Sequence, residues 1–153
     1  MDDLQKKLDM LSDIAAELNK KKVTWAVGAS LLLYFKGIVT NFHDIDIMVA
    51  EEDVETAKEV LLTFGRLQPR YPDAQYQTKH FLEFIVNGID IDVIAGFTII
   101  SEGTEYYFPL DRDSVCDYTE LNGTAIPLQS VAEWRNYYLL MGRTEKVKLI
   151  DEH

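Results

Sequence analysis

Near the start of the chain, apolar residues recur at spacings of three and four: Leu4, Leu8, Leu11, Ile14, Ala15 and Leu18. That period puts them on one face of a helix, closed by Asn19-Lys20-Lys21-Lys22, whose lysines suit the negative end of the helix dipole. The pattern then changes. Val23-Thr24-Trp25-Ala26-Val27 is β-branched and aromatic and stops at Gly28, which predicts a first strand. Ser30 is the expected cap of a short buried helix over Leu31-Leu32-Leu33-Tyr34-Phe35-Lys36 that ends near Gly37.

Acid and apolar residues alternate in Asp44-Ile45-Asp46-Ile47-Met48-Val49, so a second strand there turns both aspartates to one face and Ile45 and Ile47 to the other. From Glu51 to Phe64 the period is helical again, through Val54, Ala57, Val60 and Leu61, and it stops at Gly65. Residues 66–80 contain Pro69 and Pro72 and are expected to form an irregular connection. Phe81–Val86 and Ile89–Ile94 flank Asn87-Gly88, the strongest short-range hairpin signal, and Asn122-Gly123 joins Tyr118–Leu121 to Thr124–Pro127 in the same way. Ser130 is expected to cap a helix from Val131 to about Met141, and Thr144 a short terminal one. With no repeat, low-complexity tract or long linker, residues 1–153 read as a single domain. The fold class is α+β: a mixed sheet of four to five strands with helices packed mainly on one side.

Composition narrows the function classes. The 153 residues are 47% hydrophobic, enough for one core, and no stretch approaches the roughly 18 apolar residues of a membrane helix. The acidic start, Met1-Asp2-Asp3, has no apolar signal region behind it, so a cytoplasmic protein without membrane contact is expected. Cys116 is the only cysteine, which excludes a disulfide framework and a thiolate zinc cluster and leaves it a packed or half-exposed bystander. A net charge of -11, from 26 acidic and 15 basic side chains, argues against broad electrostatic capture of nucleic acid or anionic membrane. Polyphosphates bound through divalent cations escape that argument, because the metal supplies the positive charge.

The placement of acids inside apolar strands matters more than their number. Asp44 and Asp46 stand about 6.6 Å apart along one face of their strand, and Asp90 and Asp92 repeat the arrangement on another. If those strands are neighbours, three or four carboxylates converge. Adjacent carboxylates resist joint ionisation unless a cation neutralises them, and magnesium suits such an oxygen set, with manganese as a substitute. The alternative is a half-exposed strand that turns its acids to water. Gly28-Ala29-Ser30 lies where a strand meets a helix, a place that admits phosphate, although no Gly-Lys-Ser/Thr follows to make a Walker loop.

Val27-Gly28-Ala29-Ser30-Leu31-Leu32-Leu33, Gly37, His43-Asp44-Ile45-Asp46-Ile47 and Ile91-Asp92-Val93 together resemble the DNA polymerase beta-like nucleotidyltransferase superfamily. Its minimal bacterial members include lincosamide-type antibiotic nucleotidyltransferases and the nucleotidyltransferases of toxin-antitoxin pairs. The resemblance spans about residues 23–95. It implies that Asp44 and Asp46 are metal ligands, that Gly28, Ala29 and Ser30 border a triphosphate, and that Asp92 is the third carboxylate, with Asp90 the alternative for that role. The implied activity is magnesium-dependent transfer of an NMP from a nucleoside triphosphate to a hydroxyl of a small molecule or protein, releasing pyrophosphate. The rival is a non-catalytic nucleotide- or metal-binding regulatory module of the same fold. Ala29 departs from the pattern, since many members have glycine there, and the lack of a large second domain argues against a polymeric acceptor.

Other residues divide between function and structure. His43 beside Asp44 is a candidate for phosphate contact, against a plain surface role; His80 is expected to be exposed, and His153 is the last residue of the sequence. Lys36, Arg66, Arg70, Lys79 and Arg143 are candidate triphosphate contacts. Tyr71, Tyr76, Tyr106, Tyr107 and Trp134 are candidates to stack a base or line an acceptor pocket, whereas Trp25 reads as core. Tyr137-Tyr138 is assigned, by analogy with small members of that superfamily, to a homodimer interface.

Overall fold

In the computed structural model, which describes residues 3–69 and 78–153, the leucine-rich face forms helix α1 (Asp3–Lys20), with Leu11, Ile14, Ala15 and Leu18 fully buried. Arg70, Tyr71, Pro72 and Tyr76, together with Met1 and Asp2, lie outside the described residues. Lys22, at φ 60°, turns the chain from α1 into strand β1 (Trp25–Val27). Trp25 is core, as expected, and its indole Nε1 donates to Asn19 Oδ1 at 2.9 Å.

Helix α2 (Ala29–Phe35), strand β2 (Ile45–Val49) and helix α3 (Val54–Leu62) follow, the last entered through a 3-10 turn at Glu51–Asp53. The predicted irregular connection opens instead with a short strand, β3 (Arg66–Leu67), which pairs with β4 (His80–Val86). The Asn87-Gly88 hairpin joins β4 to β5 (Ile89–Ala95), and φ values of 50° and 80° at its two turn residues match the right-handed twist of the strands. Residues 97–108, for which no element was expected, form a third hairpin, β6 (Phe97–Ser101) and β7 (Thr104–Phe108), around Glu102-Gly103. Gly96, at φ 64°, is the bend at which the chain leaves the main sheet for this two-stranded one. The second Asn-Gly turn joins β8 (Asp117–Leu121) to β9 (Thr124–Leu128), and the chain closes with α4 (Val131–Leu140) and α5 (Thr144–Asp151).

The fold is α+β, but among the described residues the mixed sheet has seven strands, in the order β3-β4-β5-β2-β1-β9-β8, where four or five were expected. The difference comes from the short edge strand β3 and from both hairpins joining one sheet. Centrally, β2 runs parallel to β5 and antiparallel to β1, and β1 runs parallel to β9. Helices α1 and α3 touch each other and span the sheet, α1 against β8 and β9, α3 against β3, β4 and β5. Ser130 caps α4 in a full capping box, accepting from Glu133 N at 3.1 Å while Glu133 Oε1 accepts from Ser130 N at 2.9 Å. Thr144 does not cap α5; Arg143 holds that position, and Thr144 is the first helical residue.

Candidate active site

The register of β2 on β5 decides the site. Ile45 pairs with Ile91, Asp46 with Asp92 and Ile47 with Val93, so the isoleucines and valine sink into the core while the two aspartates share the other face. On the far side of β5, Glu83 of β4 pairs with Asp92. Glu83, Asp92 and Asp46 therefore form a row across three strands, and the row ends where Gly28 N donates to Asp46 O at 3.2 Å. Asp44 immediately precedes β2, and Asp90 stands two residues before Asp92 on β5. The two strands are neighbours and bring Asp46 beside Asp92, with Glu83 as an additional acid in the row. Counting outward from the Asn87-Gly88 turn pairs residue 83 with 92, so this signal was legible in the sequence.

Crowding of acids shifts their protonation. Burial, then the charge of Asp44, raises Asp46 to about 6, and Asp92 helps stabilise it by a side-chain hydrogen bond. Burial, then the Asp46 charge and the same hydrogen bond, raises Asp92 to about 8, with Asp44 and Glu83 adding to the effect. Both carboxyls are thus held above the usual carboxylate range by burial and by the neighbouring acids. Asp44 is raised by burial and by Asp90, against the lowering effects of His43 and Lys7. Lys7 also fixes the loop that leads into Asp44: its Nζ donates to Phe42 O at 2.7 Å and lies 5.4 Å from the Phe42 ring centre.

Among the described residues, no three acids or imidazoles already stand as a set of metal ligands. The donor chemistry nevertheless fits a hard cation. Asp44, Asp46 and Asp92 offer only oxygen, and the last two stand in register on neighbouring parallel strands.

The Gly28-Ala29-Ser30 turn differs from its expected geometry. Ser30 does not cap α2; Gly28 holds the cap position and supplies no side chain. Gly28 has φ -128°, open to any residue, and is small because a Cβ there would lie 2.7 Å from Gln129 Oε1 and the Trp134 ring. These two groups are bonded to each other, Trp134 Nε1 to Gln129 Oε1 at 2.6 Å. The left-handed residue of the turn is Ala29, at φ 55°. Ser30 instead meets the C-terminal helices: Lys146 Nζ donates to its Oγ at 3.3 Å, and it hydrogen-bonds Tyr138, whose hydroxyl is raised chiefly by burial to about 12.

These parts enclose a cleft of about 530 Å³. Ala29, Ser30, His43, Asp44 and Asp46 form one wall, Arg143 and Lys146 another, and Phe81, Phe97, Trp134 and Tyr138 an aromatic third. Phe97 stacks on Trp134 with ring centres 5.8 Å apart, so the unforeseen third hairpin builds part of this wall. Asp92, Asp90 and Glu83 border a second hollow of about 270 Å³ with Gln68. The Asp46–Asp92 pair stands between the two.

The remaining candidates separate cleanly. Of the cations named from sequence, Arg143 lines the cleft, while Lys36 pairs with Asp117, Lys79 with Glu51 at 3.5 Å, and Arg66 borders a different hollow. Lys146 was missed because nothing in a linear sequence brings it to Ser30. Trp134 lines the cleft; Tyr106 and Tyr107 are exposed elsewhere, Tyr107 bonding Glu51. Tyr137 and Tyr138 are 5% and 3% exposed, packed among Trp134, Phe97 and Phe108, so they offer no face to a second subunit. Cys116, His80 and His153 are exposed.

A mixed sheet that carries paired acids on neighbouring central strands, beside a strand-to-helix turn, is the architecture expected of a nucleotidyltransferase. Comparison with solved structures agrees. The chain is similar to TM1012 of Thermotoga maritima, a provisionally assigned nucleotidyltransferase, at 28% identity over 97% of this chain and 92% of that one, with a TM-score of 0.77. It shares its fold with the antibiotic-resistance protein ANT(2'')-Ia in complex with adenylyl-2''-tobramycin (10% identity, 95% and 87% coverage, TM-score 0.64). It also shares it with the lincosamide antibiotic adenylyltransferase LnuA bound to lincomycin (15% identity, 95% of each chain, TM-score 0.59). No family model and no curated protein matches the chain. The fold is that of the DNA polymerase beta-like nucleotidyltransferase superfamily, as the motif resemblance implied.

Proposed function

We propose that this chain is a metal-dependent nucleotidyltransferase that moves an NMP from a nucleoside triphosphate to a hydroxyl of a small-molecule or protein acceptor and releases pyrophosphate. The observation that carries the reading is the pairing of Asp46 with Asp92 on neighbouring parallel strands, at the edge of the cleft bordered by Ala29 and Ser30. Magnesium, or manganese, held by Asp44, Asp46 and Asp92 would neutralise the carboxylates and polarise the phosphoryl oxygens.

The chain's own residues account for the rest of the chemistry. Asp92 borders the smaller hollow, where an acceptor hydroxyl can approach, and once ionised it takes the proton of that hydroxyl. The hydroxyl oxygen bonds to the α-phosphorus, the bond from that phosphorus to the bridging oxygen breaks, and pyrophosphate leaves with the electron pair. Asp90, exposed and further up β5, is the outer of the two carboxylates, so Asp92 takes the third-acid role. The aromatic residues of the cleft offer ring faces to a base.

Calorimetry with magnesium and each nucleoside triphosphate in turn tests the proposal. Wild type binds at least one of them, and an Asp44→Asn, Asp46→Asn double variant folds with an unchanged far-UV spectrum but binds at least 10-fold more weakly. Equal binding by the variant removes the site assignment.

A further inference from the structure

We infer, resting on the reading above, that Gln129 is a positioning residue for nucleotide binding: it acts through Trp134, fixing the indole in the aromatic wall with its only hydrogen-bond donor kept from the ligand. Trp134 lines the cleft and Gln129 does not. Both are buried, at 3% and 6% exposure, and Trp134 Nε1 donates to Gln129 Oε1 at 2.6 Å.

An indole N–H donates and cannot accept. Left free in the wall of a cleft, it would turn to water or to a ligand oxygen, and the ring would have more than one way to lie. Gln129 removes that choice, and its own place is fixed from both sides. Its N donates to Val27 O at 3.0 Å, beside β1, and the next residue, Ser130, opens the capping box that directs α4. Trp134 N donates to Ser130 O at 3.3 Å, one turn into that helix. Phe97, Tyr137 and Tyr138 brace the indole with ring centres 5.8, 5.1 and 5.3 Å away.

The same bonded pair is the surface on which Gly28 lies, because a Cβ at residue 28 would stand 2.7 Å from both Gln129 Oε1 and the indole. Gly28 N donates in turn to Asp46 O at 3.2 Å. A side-chain bond outside the cleft thus sets where its aromatic wall stands relative to the strand that carries Asp46. The carboxylates themselves make no contact with Gln129, so a metal ion and a nucleotide should respond differently to its loss.

The test combines indole signals in a proton–nitrogen correlation spectrum with calorimetric titration of magnesium alone and of ATP, CTP, GTP and UTP with magnesium. The proteins are wild type, Gln129→Met, Gln129→Glu, Trp134→Phe and the Gln129→Met, Trp134→Phe double variant, with thermal melts as the folding control. Trp134→Phe shows which of the two indole signals belongs to Trp134. In Gln129→Met, which fills the space without an amide acceptor, that signal moves upfield, triphosphate binding weakens about fivefold or more, and magnesium binding stays within about twofold. Gln129→Glu, whose carboxyl accepts in either protonation state, restores most of the affinity. Once Trp134 is phenylalanine, adding Gln129→Met changes triphosphate affinity less than about twofold, because the residue through which it acts is gone. An unmoved Trp134 signal, equal weakening of magnesium and triphosphate, no rescue by Gln129→Glu, or the full loss persisting without the indole overturns the inference. If Gln129→Met binds triphosphate like wild type while Asp46→Asn does not, this inference alone falls. If wild type binds none of the four triphosphates, the underlying reading falls with it.

Discussion

Ala29 is a side-chain-bearing residue in left-handed backbone, at φ 55°, at the junction of β1 and α2. Such a conformation costs an L-residue about 1–2 kcal/mol, and it persists because the neighbours dictate the turn. Gly28 must lie flat against Gln129 and Trp134, and Leu31, Leu32 and Leu33 must enter the core directly afterwards. Ala29→Gly therefore stabilises the protein by about 1 kcal/mol, raising Tm by about 2–4 °C in a calorimetric or circular dichroism melt. A fall in Tm would show that the turn is not left-handed there. Sequence alone located the turn but misassigned its parts. Gly28 marked only the end of a strand and is a packing glycine, and Ser30 looked like a cap and is a partner of Lys146, because both roles depend on residues about 100 positions away.

At the scale of elements, the alternating acids in β2 and β5 were legible because side chains in a strand have a period of two, and both Asn-Gly hairpins formed at the stated turns. That β2 and β5 are parallel neighbours was not legible, since nothing local encodes pairing across 40-odd residues. The third hairpin was missed although Glu102-Gly103 lies between two apolar runs, and the short strand β3 is defined only by its partner β4. The pairing of β2 with β5 has a measurable consequence. Unfolded aspartates titrate near 3.8, while the folded pair is raised to about 6 at Asp46 and about 8 at Asp92. Below pH 4 both states are protonated and the pair carries no penalty; from pH 4 to 8 the unfolded chain holds fewer protons than the native one, so stability falls as pH rises. Metal-free protein should thus lose stability across this window, as read by urea unfolding at each pH. Asp92→Asn, which keeps a donor for Asp46 and removes one charge, should gain about 1–3 kcal/mol at pH 8 relative to wild type. A flat pH dependence in both proteins would mean that the two acids do not share a proton.

The whole molecule sets opposite demands on its two faces. Helices α1 and α3 span the sheet beside the core, whereas Asp44 and Asp46, the Ser30 turn and α5 meet in a cleft assembled from segments at both ends of the chain. An acidic protein of net charge -11 can hold a polyanion there only if a cation stands between the acids and the phosphates, aided by Lys146 and Arg143. The central claim is therefore that Asp46 and Asp92 release their shared proton to hold a divalent metal. Titration of the metal-free protein with magnesium at pH 7, in two buffers of different ionisation enthalpy, measures it directly. With Asp92 raised to about 8, binding should release close to one proton per metal, and Asp92→Asn should abolish the release. Magnesium binding without proton release, or no binding at all with or without a nucleoside triphosphate, would contradict the account.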